Sequence, residues 1–161
     1  MELITINYSL MKNISNLGEV TVVYKYKSSI KGRPQIKTSN DAYKTVLLVY
    51  DDTKIGLQEQ FIILYLNNSN TLIGCCNAFT GALTSTVVDV RIILASALKL
   101  MATGIIISHN HPSGMLKASD SDIQLTKKLS KALEAIDIKL LDHIIVSPFS
   151  GFLSFKDEGI I

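Results

Sequence analysis

The apolar runs of this chain are short, and that limits its fold more than any other feature. The longest, "FIILYL" (61–66) and "GIIIS" (104–108), have the length of strands. Neither approaches the roughly 20 residues of a membrane-spanning helix, so no membrane partner is expected. Elsewhere apolar residues recur at helical spacing. Val90, Ile93, Leu94, Ala97, Leu98 and Met101 make one stripe, with Asp89 placed to cap it. Leu125, Leu129, Ala132, Leu133 and Ile136 make a second, with Lys127, Lys128 and Lys131 off it. "EQFIILYLNNSNTLIGCCNAF" (59–79) reads as a hairpin, because "NNSN" offers turn residues between two apolar runs. "IKLLDHIIVS" (138–147) and "GFLSF" (151–155) add two strands. Strands interrupted by two helices predict an α/β sandwich, a mixed sheet with helices packed on it.

Residues 1–50 read as an N-terminal basic appendage and residues 51–161 as the main domain. The appendage predicts a strand over 20–27, a break at "KGRP", and a helix over 39–50. That helix has Ser39 as its N-cap and Ala42, Val46, Leu47 and Tyr50 on its apolar side. Hydrophobic residues make up 47% of the 161, enough for a sizeable core. The net charge of +2 is unevenly spread: residues 1–37 hold six basic side chains against two acidic ones. Lys25, Lys27 and Lys31 alternate with or follow Tyr24 and Tyr26, a pattern that suits a nucleic-acid backbone. The wet face of an exposed strand explains it as well, and is preferred. The opening "MELITINYSLMKN" has no basic start followed by a long apolar stretch, so a cytoplasmic location is expected. Cys75 and Cys76 are neighbours, which opposes a bridge between them; both are expected to be reduced and packed in a strand.

Chemistry concentrates in "HNHPSGMLKASDSD" (109–122), which holds two of the three histidines. Residues i and i+2 of a strand share a face. His109 and His111 therefore converge if the strand "GIIIS" stays extended through Asn110. Two imidazoles on one face suit zinc. A catalytic zinc site needs a third protein ligand and an open position. The loop "PSGMLKAS" can turn the chain back, so that Asp122 in the first turn of the next helix joins the pair. Ser119 and Asp122 also have the spacing of a capping box, and a cap can position a ligand.

With Ser119 and Asp122 at these offsets, "HNHPSG" resembles the JAMM motif of MPN/JAB-domain metalloproteins. The closer resemblance is to the RadC-like branch. "LQEQFIILYLNNSNTLIG", "STVVDVRIILASALKLMATGIIISHNHPSG", "SDSDIQLTKKLSKAL" and "LLDHIIVSPFSGFLSF" follow that pattern in order, across roughly residues 57–161. The resemblance implies an MPN/JAB-like (cytidine-deaminase-like) mixed sheet flanked by helices, in a short form without an N-terminal helical DNA-binding module. It implies one zinc per chain, held by His109, His111 and Asp122. Ser119 would donate to the oxyanion of a tetrahedral intermediate, and Glu59 would be the upstream general base. His143 also matches a recurring position, and a structural role or one supporting the ligands is expected for Asp142 and His143. An ion pair that stabilises the fold is expected for Arg91. Ala118 stands where the family pattern often has proline, which leaves the ligands intact.

The leading functional expectation is a JAMM-type zinc hydrolase that cuts a peptide or isopeptide bond in a protein substrate. The alternatives are a DNA-associated role through the basic N-terminal segment and a non-catalytic module that keeps zinc for structure. Glu59 separates them, because a structural zinc needs no general base and usually fills all four positions with protein ligands.

Overall fold

A computed structural model describes residues 32–81, 88–149 and 151–161. The strand expected over 20–27, with Lys12, Lys25, Lys27 and Lys31, lies outside the described residues. The described elements are α1 (Ser39–Leu47), β1 (Gln60–Leu66), β2 (Leu72–Thr80), α2 (Val90–Lys99), β3 (Gly104–Asn110), α3 (Asp120–Glu134), β4 (Lys139–Val146) and β5 (Phe152–Ser154). The strands form one sheet in the order β2-β1-β3-β4-β5. β3 and β4 are parallel, and every other pairing is antiparallel. A parallel pair needs a long crossover, and α3 is that crossover. The mixed sheet with flanking helices is therefore as expected, and β3 lies between β1 and β4.

Both faces of the sheet are covered, which explains the unbroken apolar run in β1. All seven of its residues are buried, the signature of a strand with no wet side. Phe61, Ile63 and Tyr65 pack with Ile105 and Ile107 against Ile93 and Ala97 of α2 and Leu129 and Leu133 of α3. Ile62, Leu64 and Leu66 turn the other way, joining Ile106, Ile144 and Val146 against Ala42 and Val46 of α1. Each buried Ile, Leu, Val or Phe among them contributes roughly 1.5–3 kcal/mol on burial. The "NNSN" turn holds as read: the Asn67 side chain accepts from the amides of Ser69 and Thr71.

Two readings of helix positions need correction. Thr38, not Ser39, caps α1: its hydroxyl accepts from the Asp41 amide, and the Asp41 carboxylate accepts from the Thr38 amide in return. Ser39 is the first helical residue and is buried. On α2, Ile93 and Ala97 are buried as the stripe predicts, but Leu98 and Met101 are 50% and 74% exposed. The helix stops at Lys99. Met101 takes a left-handed φ of 53°, and the Ala102 amide reaches back to the Ala97 carbonyl while that of Met101 reaches Leu98. This is a Schellman ending, and it carries the chain off the apolar stripe before Met101 can join it. Asp89 caps α2 as expected, accepting from the Arg91 amide. No helix of the described residues is long and apolar enough to cross a membrane.

Candidate metal centre

His109 lies near the end of β3 and His111 just beyond it. The His111 amide donates to the Val146 carbonyl at 3.0 Å, so the pairing with β4 runs past Asn110 and the backbone stays extended. Both rings consequently share the α3 face of the sheet. The Pro112–Met115 loop then turns back. Gly114 sits at φ 79°, and a Cβ there would lie 2.5 Å from the Phe149 ring. The left-handed φ is what favours glycine here, since the exposed Phe149 ring is free to swing aside.

The turn delivers the N-terminus of α3 to the histidines. Ser119 is its N-cap, accepting from the Asp122 amide at 3.2 Å, and Asp122 Oδ2 accepts from the Ser119 amide at 2.8 Å. This capping box fixes the carboxylate beside the rings. Asp122 Oδ1 is 3.3 Å from His109 Nε2, and Oδ2 is 3.8 Å from His111 Nε2. The two Nε2 atoms are 2.9 Å apart. Ligand atoms of His109, His111 and Asp122 all lie within 4.8 Å of one another, so the three residues can hold a metal ion.

Protonation states favour ligation. Burial pushes His109 down to about 4, against the opposing charge of Asp122 and with a smaller contribution from His111. His109 is thus neutral near pH 7, and its approach to Asp122 is not an ion pair. His111 Nδ1 is 2.7 Å from the Met115 carbonyl, which can only accept, so this nitrogen carries the proton and a neutral His111 has Nε2 bare. Two imidazole nitrogens and a carboxylate facing one point make a donor set that fits zinc.

Glu59 reaches the same place through strand register. The antiparallel β1–β3 ladder ends on the pair Phe61 and His109, and Glu59, two residues before Phe61, lines the same cleft as His111, two residues after His109. Asn110 secures the approach. Its amide donates to the carbonyls of Ile55 and Gln58, at 2.6 and 2.9 Å, and its oxygen accepts from the Gln60 amide at 2.7 Å. These bonds bracket Glu59. Together with His111, Ser113, Met115, Lys117 and Ser119, Glu59 lines a cleft of about 530 Å³. Among the other residues singled out, Ser119 stands in its capping geometry, and its hydroxyl donates to Asp122 at 2.7 Å.

His143 touches His109, with Nε2 2.8 Å from His109 Nδ1. Asp142 faces away from the histidines. It accepts from the Ser154 hydroxyl and the amides of His143 and Lys156, tying β4 to the chain end, while burial raises its pKa. Arg91 pairs with Asp89 at 2.7 Å, but its side chain is 90% exposed. An exposed pair contributes little. Both cysteines are free, Cys75 exposed and Cys76 half-buried on β2. Asn110 is expected to hold the loop after β3, but its partners, and the role of Thr126, escape a reading of the sequence. The reach of Asn110 into residues 55–60 left no sequence signal. Thr126 did leave one: it lies one helical turn after Asp122, on the same face of α3.

The profile of the RadC-like JAB domain matches residues 36–160. A UPF0758 protein of Flavobacterium johnsoniae is 40% identical over 126 residues, 78% of this chain and 53% of its own length. One from Porphyromonas gingivalis is 37% identical over 129 residues, 80% of this chain and 56% of that protein. One from Fusobacterium nucleatum is 37% identical over 149 residues, or 90% and 63%. The chain thus spans little more than half the length of the first two.

Proposed function

The chain belongs to the RadC-like JAB domain family, and on that premise we propose that it is a zinc-dependent hydrolase of peptide or isopeptide bonds. The observation that carries this reading is Glu59, which lines one cleft with His111 and Ser119 beside a three-residue donor set. A purely structural site has no use for a carboxylate held there. Zinc bound by His109, His111 and Asp122 would supply Lewis acidity, lowering the pKa of a water to about 7.

The chain's own residues divide the remaining work. Glu59 takes the proton of the attacking water and delivers it to the leaving amine nitrogen, general acid–base work usually giving about 10²- to 10⁴-fold in rate. The Ser119 hydroxyl lies on the same cleft. By turning its hydrogen away from Asp122 it can donate to the developing oxyanion. Asn110 keeps Glu59 in place, and the capping box keeps Asp122 in place. Lys117 and Met115 line the mouth and offer a cation and an apolar surface to a polypeptide.

Peptide and isopeptide substrates, assayed with and without chelator, test the reading. Activity should vanish with chelator. Glu59→Gln should abolish it while leaving zinc content and thermal stability near the wild-type values. A Glu59→Gln protein that hydrolyses at the wild-type rate contradicts the mechanism.

A further inference from the structure

His143 is a buried titratable group that the proposed chemistry does not use. It sits between His109 and α3. His143 Nδ1 is 2.7 Å from the Thr126 hydroxyl, and that hydroxyl is 2.6 Å from the Asp122 carbonyl. The rings of Phe61 and Phe155 flank it, with centroids 6.3 and 4.4 Å away. His143 and Thr126 are both fully buried.

The hydrogen positions along this chain follow from one end. The Asp122 carbonyl can only accept, so Thr126 must donate its single hydroxyl hydrogen to it. Were Thr126 to donate to His143 instead, two oxygens would meet at 2.6 Å with no hydrogen between them. The Thr126 oxygen therefore accepts from His143 Nδ1. His143 is fully buried between the Phe61 and Phe155 rings, with its ring nitrogens against a hydroxyl and a second imidazole rather than a carboxylate, so the ring is neutral and its Nε2 is bare. That bare nitrogen faces His109 Nδ1 at 2.8 Å, and His109 must donate. A neutral His109 that donates from Nδ1 has nothing on Nε2, so its lone pair, the bare His111 Nε2 at 2.9 Å and the Asp122 carboxylate form a set of acceptors that a cation between them satisfies.

We infer that Thr126 and His143 are a positioning pair that locks His109 in its Nδ1–H form, with Nε2 presented to the metal. The inference rests on the metal reading proposed above. The pair has a second consequence. Asp122 supplies a carboxylate to the site through its side chain and anchors the Thr126–His143–His109 series through its carbonyl. One residue thus fixes both its own oxygen and the tautomer of the buried histidine. A hydrogen bond to the far nitrogen of a ligating histidine is worth about 10- to 100-fold in metal affinity.

Two measurements test it. The first is the ¹⁵N signature of the histidine rings in the metal-free wild type at mildly alkaline pH, where His109 should show a protonated Nδ1 and a bare Nε2. The second is zinc affinity by competition with a chromophoric chelator. Thr126→Val keeps the side-chain shape and removes the oxygen. It should lower zinc affinity about 10- to 100-fold and let His109 populate the Nε2–H form. Thr126→Ser should restore both. An Nε2–H His109 in the wild type overturns the inference, as does wild-type affinity in a folded Thr126→Val. Should Thr126→Val not fold, the wild-type ring spectrum decides alone. Wild-type protein that takes up no zinc would overturn the metal reading instead, and the ring spectrum still decides the tautomer.

Discussion

Asp122 accepts from the Ser119 amide and hydroxyl through the same oxygen that approaches His111. Capping-box member and candidate ligand are thus one group, and a helix N-terminus favours the charge that both duties need. Ser119 shares this double duty. Ser119→Ala should cost about 1 kcal/mol in metal-free stability by removing the N-cap, read by denaturant unfolding. In the loaded enzyme it should also lower the rate by about 10²- to 10³-fold, as loss of an oxyanion donor does. Glu59→Gln should change rate alone. A Ser119→Ala protein that loses stability but keeps full rate would confine this residue to its cap.

At the scale of elements, the loop before β1 is held by a side chain from β3. Asn110 satisfies two carbonyls and one amide on either side of Glu59. Asn110→Ala leaves one buried amide and two half-buried carbonyls unpaired and should cost on the order of 3 kcal/mol, seen as a lower unfolding midpoint. It should depress hydrolysis more than zinc affinity, because the base moves while the ligands stay. Equal losses in both would place Asn110 with the ligands. The elements themselves were largely legible. The pattern H-x-H after an apolar run, the S-x-x-D cap and the "NNSN" turn each follow from local geometry, and the structure keeps all three. The Asn110 clamp was not legible, because its partners lie about fifty residues away. Thr38 and Ser39 are neighbouring hydroxyls, and only the backbone angles distinguish cap from first helical residue. Met101 misreads because the stripe continues in sequence beyond the point where the helix ends, whereas Leu98, still inside the helix, stands about 100° round it from the buried Ala97, at the edge of the stripe.

For the molecule as a whole, the sheet is what assembles the centre. The residue just before β1 is Glu59, β3 and the residue beyond it bring His109 and His111, the parallel β4 brings His143, and the crossover α3 brings Asp122 and Thr126. Burying two neutral imidazoles has a consequence for stability. In the unfolded chain a histidine titrates near 6.5, whereas folding holds His109 down at about 4 and His143 well below its usual range. A lowered folded value means that the unfolded chain binds more protons between the two. Stability is therefore fully present above about pH 6.5 and falls as pH drops toward 4, by on the order of 3 kcal/mol for His109 alone. Unfolding of the metal-free protein across that range should show the decline, and a flat profile would mean that the rings are not buried neutral.

The centre itself is tested most directly by the zinc content of the purified protein, wild type beside the double variant His109→Ala/His111→Ala. The account predicts one zinc per chain in the wild type and almost none in the double variant, because only Asp122 of the three ligands would remain. A double variant that retains full zinc would contradict the metal centre, and with it the hydrolase built upon it.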